Sequence, residues 1–298
     1  MHQDLSKYLR NGYQPKGKTL FLQEGYQMSG DCTPDRAQGP PLIEFKNVTI
    51  VRGGCRVIDA ATLSIREGEN VAILGPNGAG KSSLVKAITR EYYPLISEGP
   101  MTFRFRGNDV WDVFDLRSFI GIISNDLQYT FMRTITGHDV VLSGFFSSIG
   151  LFNQDITPAM EEKAGAIERL LGIQQLNGRP MTSLSSGEAR RFLIGRALVP
   201  GPATLLLDEP TSSLDFSALH TFRRTLRTIA QNGTGIVLVT HNLHDIIPEI
   251  TRVILMKDGR IVGDGEKNAM LTGEKIGSLF SVPVCVRKEN GWYYATGY

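Results

Sequence analysis

The densest cluster of residues able to do chemistry is a glycine-rich loop in the first third of the chain. It fits the pattern G-x-x-x-x-G-K-[ST] at every position, and it consists of Gly75, Pro76, Asn77, Gly78, Ala79, Gly80, Lys81, Ser82 and Ser83. Glycines let backbone N–H groups turn towards phosphate oxygens, and a helix that begins at the loop adds the positive end of its dipole. Lys81 would reach the outer phosphates, and the Ser82 hydroxyl would ligate Mg²⁺. The loop predicts a nucleotide-phosphate site, but alone it does not separate a kinase, a GTPase and a mechanical ATPase.

An apolar segment on each side positions this loop. Asn70–Leu74 is predicted to be a buried strand, and Leu84–Ile88 the start of a helix. Because the strand–loop–helix context that the pattern requires is present, a chance glycine-rich turn is the weaker explanation.

Two adjacent carboxylates form the second candidate site. Asp208 and Glu209 follow the continuous apolar run Ala203–Leu207, which is typical of a parallel strand covered on both faces. Ligands bind at the carboxyl edge of such sheets. Asp208 would hold Mg²⁺, directly or through water, and Glu209 would polarise the attacking water as a general base. A solvated strand end is the alternative, and the phosphate loop upstream disfavours it.

A third segment, Leu184–Glu188, identifies the subclass. It reads Leu-Ser-Ser-Gly-Glu and resembles the Leu-Ser-Gly-Gly-Gln signature of the ATP-binding-cassette (ABC) ATPases, with a serine for the first glycine and a glutamate for the glutamine. A polar turn at a helix N-terminus suits an anion. The resemblance implies that this segment binds the γ-phosphate of a nucleotide held by the opposite subunit of a homodimer. The residues implied are Ser185, Ser186, Gly187 and Glu188.

The order of the family's motifs continues downstream. Ser213-Leu214-Asp215 matches the D-loop, which in the family crosses the dimer interface, and His241 matches the switch histidine that contacts the γ-phosphate. The resemblance covers Leu42 to about Leu271. It implies an α/β fold of the P-loop NTPase class and ABC type, with a mostly parallel sheet core, an antiparallel β subdomain and a helical subdomain at about residues 126–185.

Two positions depart from the family pattern. Asn125 stands where the family usually has a glutamine, and Gln128 follows three residues later. Either amide could serve Mg²⁺, since both carry a carbonyl oxygen. Arg52 stands where an aromatic residue usually stacks on adenine. A guanidinium can also stack on a purine, and a solvated arginine in a turn is an equal alternative.

The segments outside the resemblance differ in composition. Residues 1–41 are polar and end in Gly-Pro-Pro, which predicts a flexible extension. They contain a near-repeat, Tyr8–Gln14 and Phe21–Gln27, which is either chance similarity in a tail or a pair of aromatic docking segments. Residues 42–271 are predicted to form the ATPase domain. Residues 272–298 form a tail with a β-hairpin, because Asn290-Gly291 is a strong hairpin turn signal.

Composition limits the partners. The chain has 41% hydrophobic and 21% charged residues, as soluble globular proteins do, and its net charge of +2 does not indicate nucleic-acid binding. Three distant cysteines predict neither a metal site nor a disulfide framework and fit a cytoplasmic location. The N-terminal residues carry charges and no apolar core of a secretory signal. No apolar run approaches the roughly 20 residues of a membrane span, so a membrane role would require a partner chain.

The resemblance supplies such a partner. It implies a transmembrane permease bound by the helical subdomain, which would place the chain on the inner face of the cell membrane. Residues Gly144–Phe152 are notably apolar. Core packing is one explanation, and a docking groove for the permease is another.

The sequence therefore predicts an ATPase that converts ATP and water to ADP and phosphate. It would dimerise on ATP and power a separate permease. Its sequence at Ser185–Arg191 resembles that of cassettes grouped with molybdate, iron or cobalamin uptake, so import of a metal, an oxyanion or a chelate is expected. The alternative is a soluble cassette ATPase without a permease, acting in cofactor assembly or DNA repair. A small-molecule kinase would explain the phosphate loop but not Leu184–Glu188 or His241.

Overall fold

The computed structural model describes residues 41–95, 99–212 and 214–297. The predicted near-repeat of the N-terminal extension lies outside these ranges. The strands are β1 (Pro41–Arg52), β2 (Cys55–Arg66), β3 (Asn70–Leu74), β4 (Thr102–Phe105), β5 (Ile120–Ile123), β6 (Thr204–Asp208), β7 (Gly235–Thr240), β8 (Arg252–Lys257), β9 (Arg260–Glu266), β10 (Cys285–Glu289) and β11 (Trp292–Thr296). The α-helices are α1 (Lys81–Ile88), α2 (Val113–Phe119), α3 (Asn125–Phe131), α4 (Gly137–Ser143), α5 (Pro158–Leu171), α6 (Ser186–Leu198), α7 (Phe216–Gln231), α8 (Lys267–Met270) and α9 (Gly273–Phe280).

A six-stranded sheet forms the centre, in the order β5-β6-β7-β3-β8-β9. Its strands pair in parallel except for β9, which runs antiparallel to β8. Alternate residues of β3 enter different cores: Ala72 and Leu74 pack with the helical layer, and Val71 and Ile73 pack on the opposite face. Burial on both faces explains why these strands appear in the sequence as continuous apolar runs. The predicted parallel core is confirmed.

The antiparallel β subdomain covers one face of this sheet. Its strands have the order β2-β1-β4, and their inward residues join α1 in one hydrophobic core. Phe45 of β1 stacks on Phe103 of β4 with ring centroids 4.7 Å apart. This sheet also connects to the phosphate loop through Gly259 in the β8–β9 turn. The Asp59 N–H of β2 donates to the carbonyl oxygen of Gly259 at 2.9 Å, and the Gly259 N–H donates to that of Ala79 at 2.9 Å.

Helices α4, α5 and α6 pack on the opposite face of the central sheet. The predicted start of α5 is confirmed, since the Thr157 hydroxyl accepts a hydrogen bond from the Met160 N–H at 3.3 Å and Pro158 is the first helical residue. In the apolar segment after α4, Phe145 and Phe146 are half-buried against this core, whereas Phe152 is 74% exposed. Core packing accounts for the first two aromatics and not for the third.

The predicted C-terminal hairpin is also present. Strands β10 and β11 pair around the Asn290-Gly291 turn, and Tyr293 is buried beneath them. Tyr294 packs edge-to-face on His244, with ring centroids 4.9 Å apart, so the tail contacts the segment that follows β7. Helix α9 before the hairpin is not predicted from the sequence. Among the described residues, none of the helices has both the length and the apolar character needed to cross a membrane.

Candidate active site

The phosphate loop lies between β3 and α1, where two glycines are required by close packing. A Cβ atom on Gly75 would overlap the carbonyl oxygen of Met256 in β8. A Cβ atom on Gly80 would lie 2.6 Å from the carbonyl oxygen of Val57, and Gly80 has φ +95°, a left-handed conformation that suits glycine. The loop is thus held by neighbouring backbone at both of its ends.

Lys81 is the buried cation of the site. Its side chain is 4% exposed, and its Nζ lies 3.3 Å from Oε1 of Glu209. The ammonium also donates to the carbonyl oxygen of Pro76 at 2.9 Å. A buried ammonium needs acceptors on several sides, and a bound phosphate would supply further oxygens. The loop and Lys81 therefore form a preorganised site for an anion.

Glu209 lies at the centre of the constellation. Its Oε1 is 3.1 Å from Nδ1 of His241 as well as close to Lys81, so one carboxylate oxygen contacts two residues that the sequence predicts to be catalytic. Glu209 has φ +47°, and its N–H donates to the carbonyl oxygen of Val239 at 2.9 Å. A left-handed conformation costs a non-glycine residue about 1–3 kcal/mol. This strained turn points the carboxylate away from the strand and towards the phosphate loop.

A buried carboxylate that the sequence prediction missed joins the segments carrying Glu209 and His241. Oδ2 of Asp245 accepts hydrogen bonds from the hydroxyls of Thr211 at 2.8 Å and Thr240 at 2.6 Å. Thr211 follows Glu209 by two residues, and Thr240 directly precedes His241. Asp245 therefore fixes the relative position of the two loops. Its sequence carries no signal for this, because a lone aspartate in a short turn is common.

Asp208 and Ser82 supply oxygen atoms beside the phosphate loop. The Ser82 hydroxyl is hydrogen-bonded to Asp208, and burial raises the pKa of the Asp208 carboxyl above its ordinary value, with the Ser82 contact opposing that shift. Oδ1 of Asp208 is buried and, within the described ranges, has no hydrogen-bond partner. A buried carboxylate oxygen left without a donor, beside a hydroxyl, fits a hard divalent cation such as Mg²⁺.

The two side-chain amides predicted to serve the metal both contact an arginine. Asn125 and Gln128 belong to α3, and the side-chain oxygens of both accept hydrogen bonds from the guanidinium of Arg190 in α6, at 2.9 Å and 2.7 Å. Their role as metal ligands stays a prediction. Each amide oxygen has a second lone pair that remains available for another donor or a cation.

The nucleotide cavity has a volume of about 520 Å³. Besides the loop and Glu209, it is lined by residues that the sequence prediction missed, namely Arg56, Val57, Asp258 and Gly259. They come from the β1–β2 and β8–β9 regions, which only tertiary folding places beside the loop. Arg52 does not line this cavity. Its guanidinium lies 4.5 Å from the ring centroid of Tyr92, so its stacking on adenine stays a prediction.

The signature segment begins α6 with a complete capping box. The Ser185 hydroxyl accepts a hydrogen bond from the Glu188 N–H at 3.3 Å, and the Glu188 carboxylate accepts one from the Ser185 N–H at 2.8 Å. This backbone hydrogen bond lowers the pKa of Glu188. A Cβ on Gly187 would lie 2.8 Å from Cβ of Ala218. The signature and the start of α7 are therefore in close contact.

The D-loop lies beside the signature in this subunit. Asp215 caps α7 by accepting a hydrogen bond from the Ala218 N–H at 2.8 Å; Ser213 lies outside the described ranges. Ser185, Gly187, Glu188 and Asp215 line one small cavity of about 220 Å³. This cavity shares no lining residue with the nucleotide cavity. Within the described part of the chain, Lys81 and Glu209 thus line one cavity and Ser185 and Gly187 line another, whereas Asp208 and His241 line neither.

Comparison with known proteins identifies the class. The family model for ABC transporters matches residues 58–212. An uncharacterised ABC transporter ATP-binding protein of Bacillus subtilis is 33% identical over 248 residues, covering 82% of this chain and 93% of its own. A hemin import ATP-binding protein of Rhodococcus jostii is 28% identical and covers 88% of this chain and 87% of its own. The dimeric structure of a bacterial ABC transporter cassette superposes with a TM-score of 0.61 at 26% identity, over 75% of this chain and 98% of that one.

The chain belongs to the ABC transporter family. It is the ATP-binding and ATP-hydrolysing subunit, which confirms the prediction made from the signature and from its order relative to Asp208 and His241.

Proposed function

We propose that two copies of this chain close head to tail over two ATP molecules. The observation that carries the proposal is that the phosphate loop and the signature line two cavities without a shared residue. One cavity holds Lys81 and Glu209, and the other holds Ser185 and Gly187. A second copy brings the signature of one subunit to the phosphate loop of the other. The dimeric structure of a similar cassette supports this arrangement.

In each composite site the residues have distinct tasks. The phosphate loop and Lys81 bind the β- and γ-phosphates. Glu209 accepts a proton from the attacking water, and His241 orients the carboxylate through Nδ1. Ser82 and Asp208 would hold Mg²⁺, which would supply positive charge to the phosphate site. The signature closes the site and excludes bulk water.

A groove beside the helical layer is the proposed docking site for the permease. It has a volume of about 340 Å³ and lies between α1, α3 and the turn after α4. Its lining mixes charged and apolar side chains, among them Lys86, Asp126 and Ile149. Two aromatic residues that are close in sequence to lining residues of the groove are largely exposed. Tyr129 is 80% exposed and Phe152 is 74% exposed. A cytoplasmic segment of a membrane permease is the occupant that the family membership indicates.

The transported substrate is proposed to be a metal chelate. Proteins named for hemin import recur among the relatives, from Rhodococcus jostii and Bradyrhizobium diazoefficiens. They agree with the prediction of a metal, oxyanion or chelate. Among the classes predicted from the sequence, the relatives named for hemin import favour a metal chelate.

Light scattering of the Glu209→Gln variant tests the dimer. This variant should be monomeric without nucleotide and dimeric with saturating ATP. A matched variant, Ser186→Arg, should bind ATP normally but stay monomeric, because the bulky cation fills the signature side of the composite site. A monomer at saturating ATP in the Glu209→Gln variant would contradict the head-to-tail dimer.

Co-expression with a candidate permease, a polytopic membrane protein encoded beside the gene for this chain, tests this partner. The chain should enter the membrane fraction only in the presence of this protein, and its ATPase rate should rise. If it stays out of the membrane fraction and instead purifies with soluble assembly or repair factors, the soluble cassette alternative is favoured.

A further inference from the structure

Arg190 is a buried arginine at which three parts of the ATPase site meet. Its side chain lies on the second turn of α6 and is 4% exposed. Nε donates to Oε1 of Gln128 at 3.1 Å, and Nη2 donates to the same oxygen at 2.7 Å and to Oδ1 of Asn125 at 2.9 Å. Nη1 donates to the carbonyl oxygens of Ser212, at 3.3 Å, and Pro210. A guanidinium has five N–H donors, so every donor has an acceptor.

Stabilisation of the fold is a poor explanation for this arrangement. All the acceptors are amide or backbone carbonyl oxygens, which carry no net charge. Burial lowers the pKa of Arg190, because removal from water disfavours the charged form. Buried charges in general stabilise proteins no better than apolar side chains of similar size. The arrangement of the five donors is therefore better explained by the segments whose positions it fixes.

Those positions belong to the hydrolytic machinery. Pro210 directly follows Glu209, whose left-handed backbone points its carboxylate at Lys81. Asn125 and Gln128 carry the amides on α3. Arg190 itself lies four residues beyond Ser186, the first residue of the signature helix. Arg190 thus links α6 directly to the loop after Glu209 and to α3.

We propose that Arg190 is a positioning residue for ATP hydrolysis. It fixes the backbone that follows Glu209 and orients the amides of α3, and so couples both to the signature helix. It does not touch the nucleotide cavity. Nucleotide affinity is therefore independent of Arg190, whereas turnover depends on it.

The test is Arg190→Lys, which keeps the charge but can supply at most three of the five donors. The rate of turnover should be expressed per nucleotide-binding site, titrated with a fluorescent ATP analogue at saturating Mg²⁺. We expect kcat to fall by about 10- to 100-fold, since misplacement of a catalytic group by about 1 Å costs on the order of 100-fold. The Kd of the analogue should stay within about threefold of wild type.

Arg196→Lys is the matched control. Arg196 lies on the same helix and is half-buried, and it donates to Oγ of Ser143 and the carbonyl oxygen of Ser148. We expect this variant to lose a comparable amount of thermal stability and to keep kcat within about twofold. A merely structural role for Arg190 predicts that both variants lose folded protein without loss of turnover per site.

Gln128→Ala keeps the proposal falsifiable if Arg190→Lys does not fold. It removes the acceptor of two of the five hydrogen bonds, and Gln128 is half-buried, so the variant should fold. Its kcat should fall at saturating Mg²⁺, and the double variant should be no worse than Arg190→Lys alone. Unchanged kcat per site in Arg190→Lys, or in Gln128→Ala at saturating Mg²⁺, would overturn the proposal. Effects that multiply in the double variant would also overturn it.

Discussion

Replacement of Glu209 by glutamine isolates the chemical step from nucleotide binding. The two side chains have nearly the same size, but the amide carries no charge and is a poor proton acceptor. In the structure, Oε1 of Glu209 lies 3.3 Å from Nζ of Lys81 and 3.1 Å from Nδ1 of His241. Loss of a positioned general base typically costs a factor of 10² to 10⁴ in rate, or about 3–5 kcal/mol in the activation free energy.

Binding of ATP should change in the opposite direction. The carboxylate competes with the γ-phosphate for Lys81, and its negative charge repels the phosphate. The variant should therefore bind ATP at least as tightly as the wild type. Single-turnover hydrolysis of radiolabelled ATP and equilibrium binding of the same nucleotide measure both quantities on one preparation.

A distant carboxylate provides the control. Glu249 accepts a hydrogen bond from Arg227 at 2.8 Å and lies outside the nucleotide cavity. Glu249→Gln should leave kcat within about twofold. If Glu209→Gln kept a kcat within threefold of wild type, Glu209 would not be the base. A loss of ATP affinity in this variant would show that the carboxylate supports the phosphate site instead.

Three further predictions follow from other parts of the structure. Asp208→Asn should raise the Mg²⁺ concentration needed for half-maximal activity at least tenfold, because the carboxylate oxygen without a hydrogen-bond partner loses its charge. A Mg²⁺ titration measures this concentration, and an unchanged midpoint would contradict Asp208 as a metal ligand. Gly75→Ala should weaken ATP binding more than tenfold, because the added Cβ overlaps a carbonyl oxygen of β8. In the control Gly178→Ala, nothing lies within 4 Å of the added Cβ, so ATP should bind normally. Calorimetry measures the ATP affinity of both variants. The hydrogen bond to Glu168 raises the pKa of His138 from 6.5 to about 9. The contribution of the charged His138 to the free energy of unfolding is therefore fully present below about pH 6.5 and is lost as the pH rises through about 9. The Tm should therefore fall from pH 7 to pH 10, and Glu168→Gln should remove most of that decrease in a thermal melt; an equal slope in both proteins would refute it.

Short contiguous patterns were sufficient to propose most of the candidate site. The phosphate loop, the Asp208–Glu209 pair and the signature are each read from fewer than ten adjacent residues, because each combines a strand or helix end with polar groups. Their chemistry is local, so the spacing along the chain already determines it. The same holds for the parallel core, whose strands are apolar on both faces, and for the hairpin around Asn290-Gly291.

The contacts between these patterns were not predictable in the same way. The sequence placed Asn125 and Gln128 as candidate metal ligands, and only the fold shows that Arg190, more than 60 residues away, holds both amides. Similarly, no local pattern indicates that Arg56 and Gly259 line the nucleotide cavity. Pairing between distant segments leaves no periodicity in the sequence.

By itself, the sequence determined the class of chemistry at the phosphate loop and its order relative to the signature and His241. The tertiary structure alone decided how these parts are held together. It packs Met256 and Val57 against the loop so that only glycine fits, and it turns Glu209 into a left-handed conformation that faces Lys81. Within one subunit, it places the signature and the phosphate loop in cavities that share no lining residue. These outcomes depend on backbone positions contributed by remote strands, which burial of both faces of the central sheet brings together.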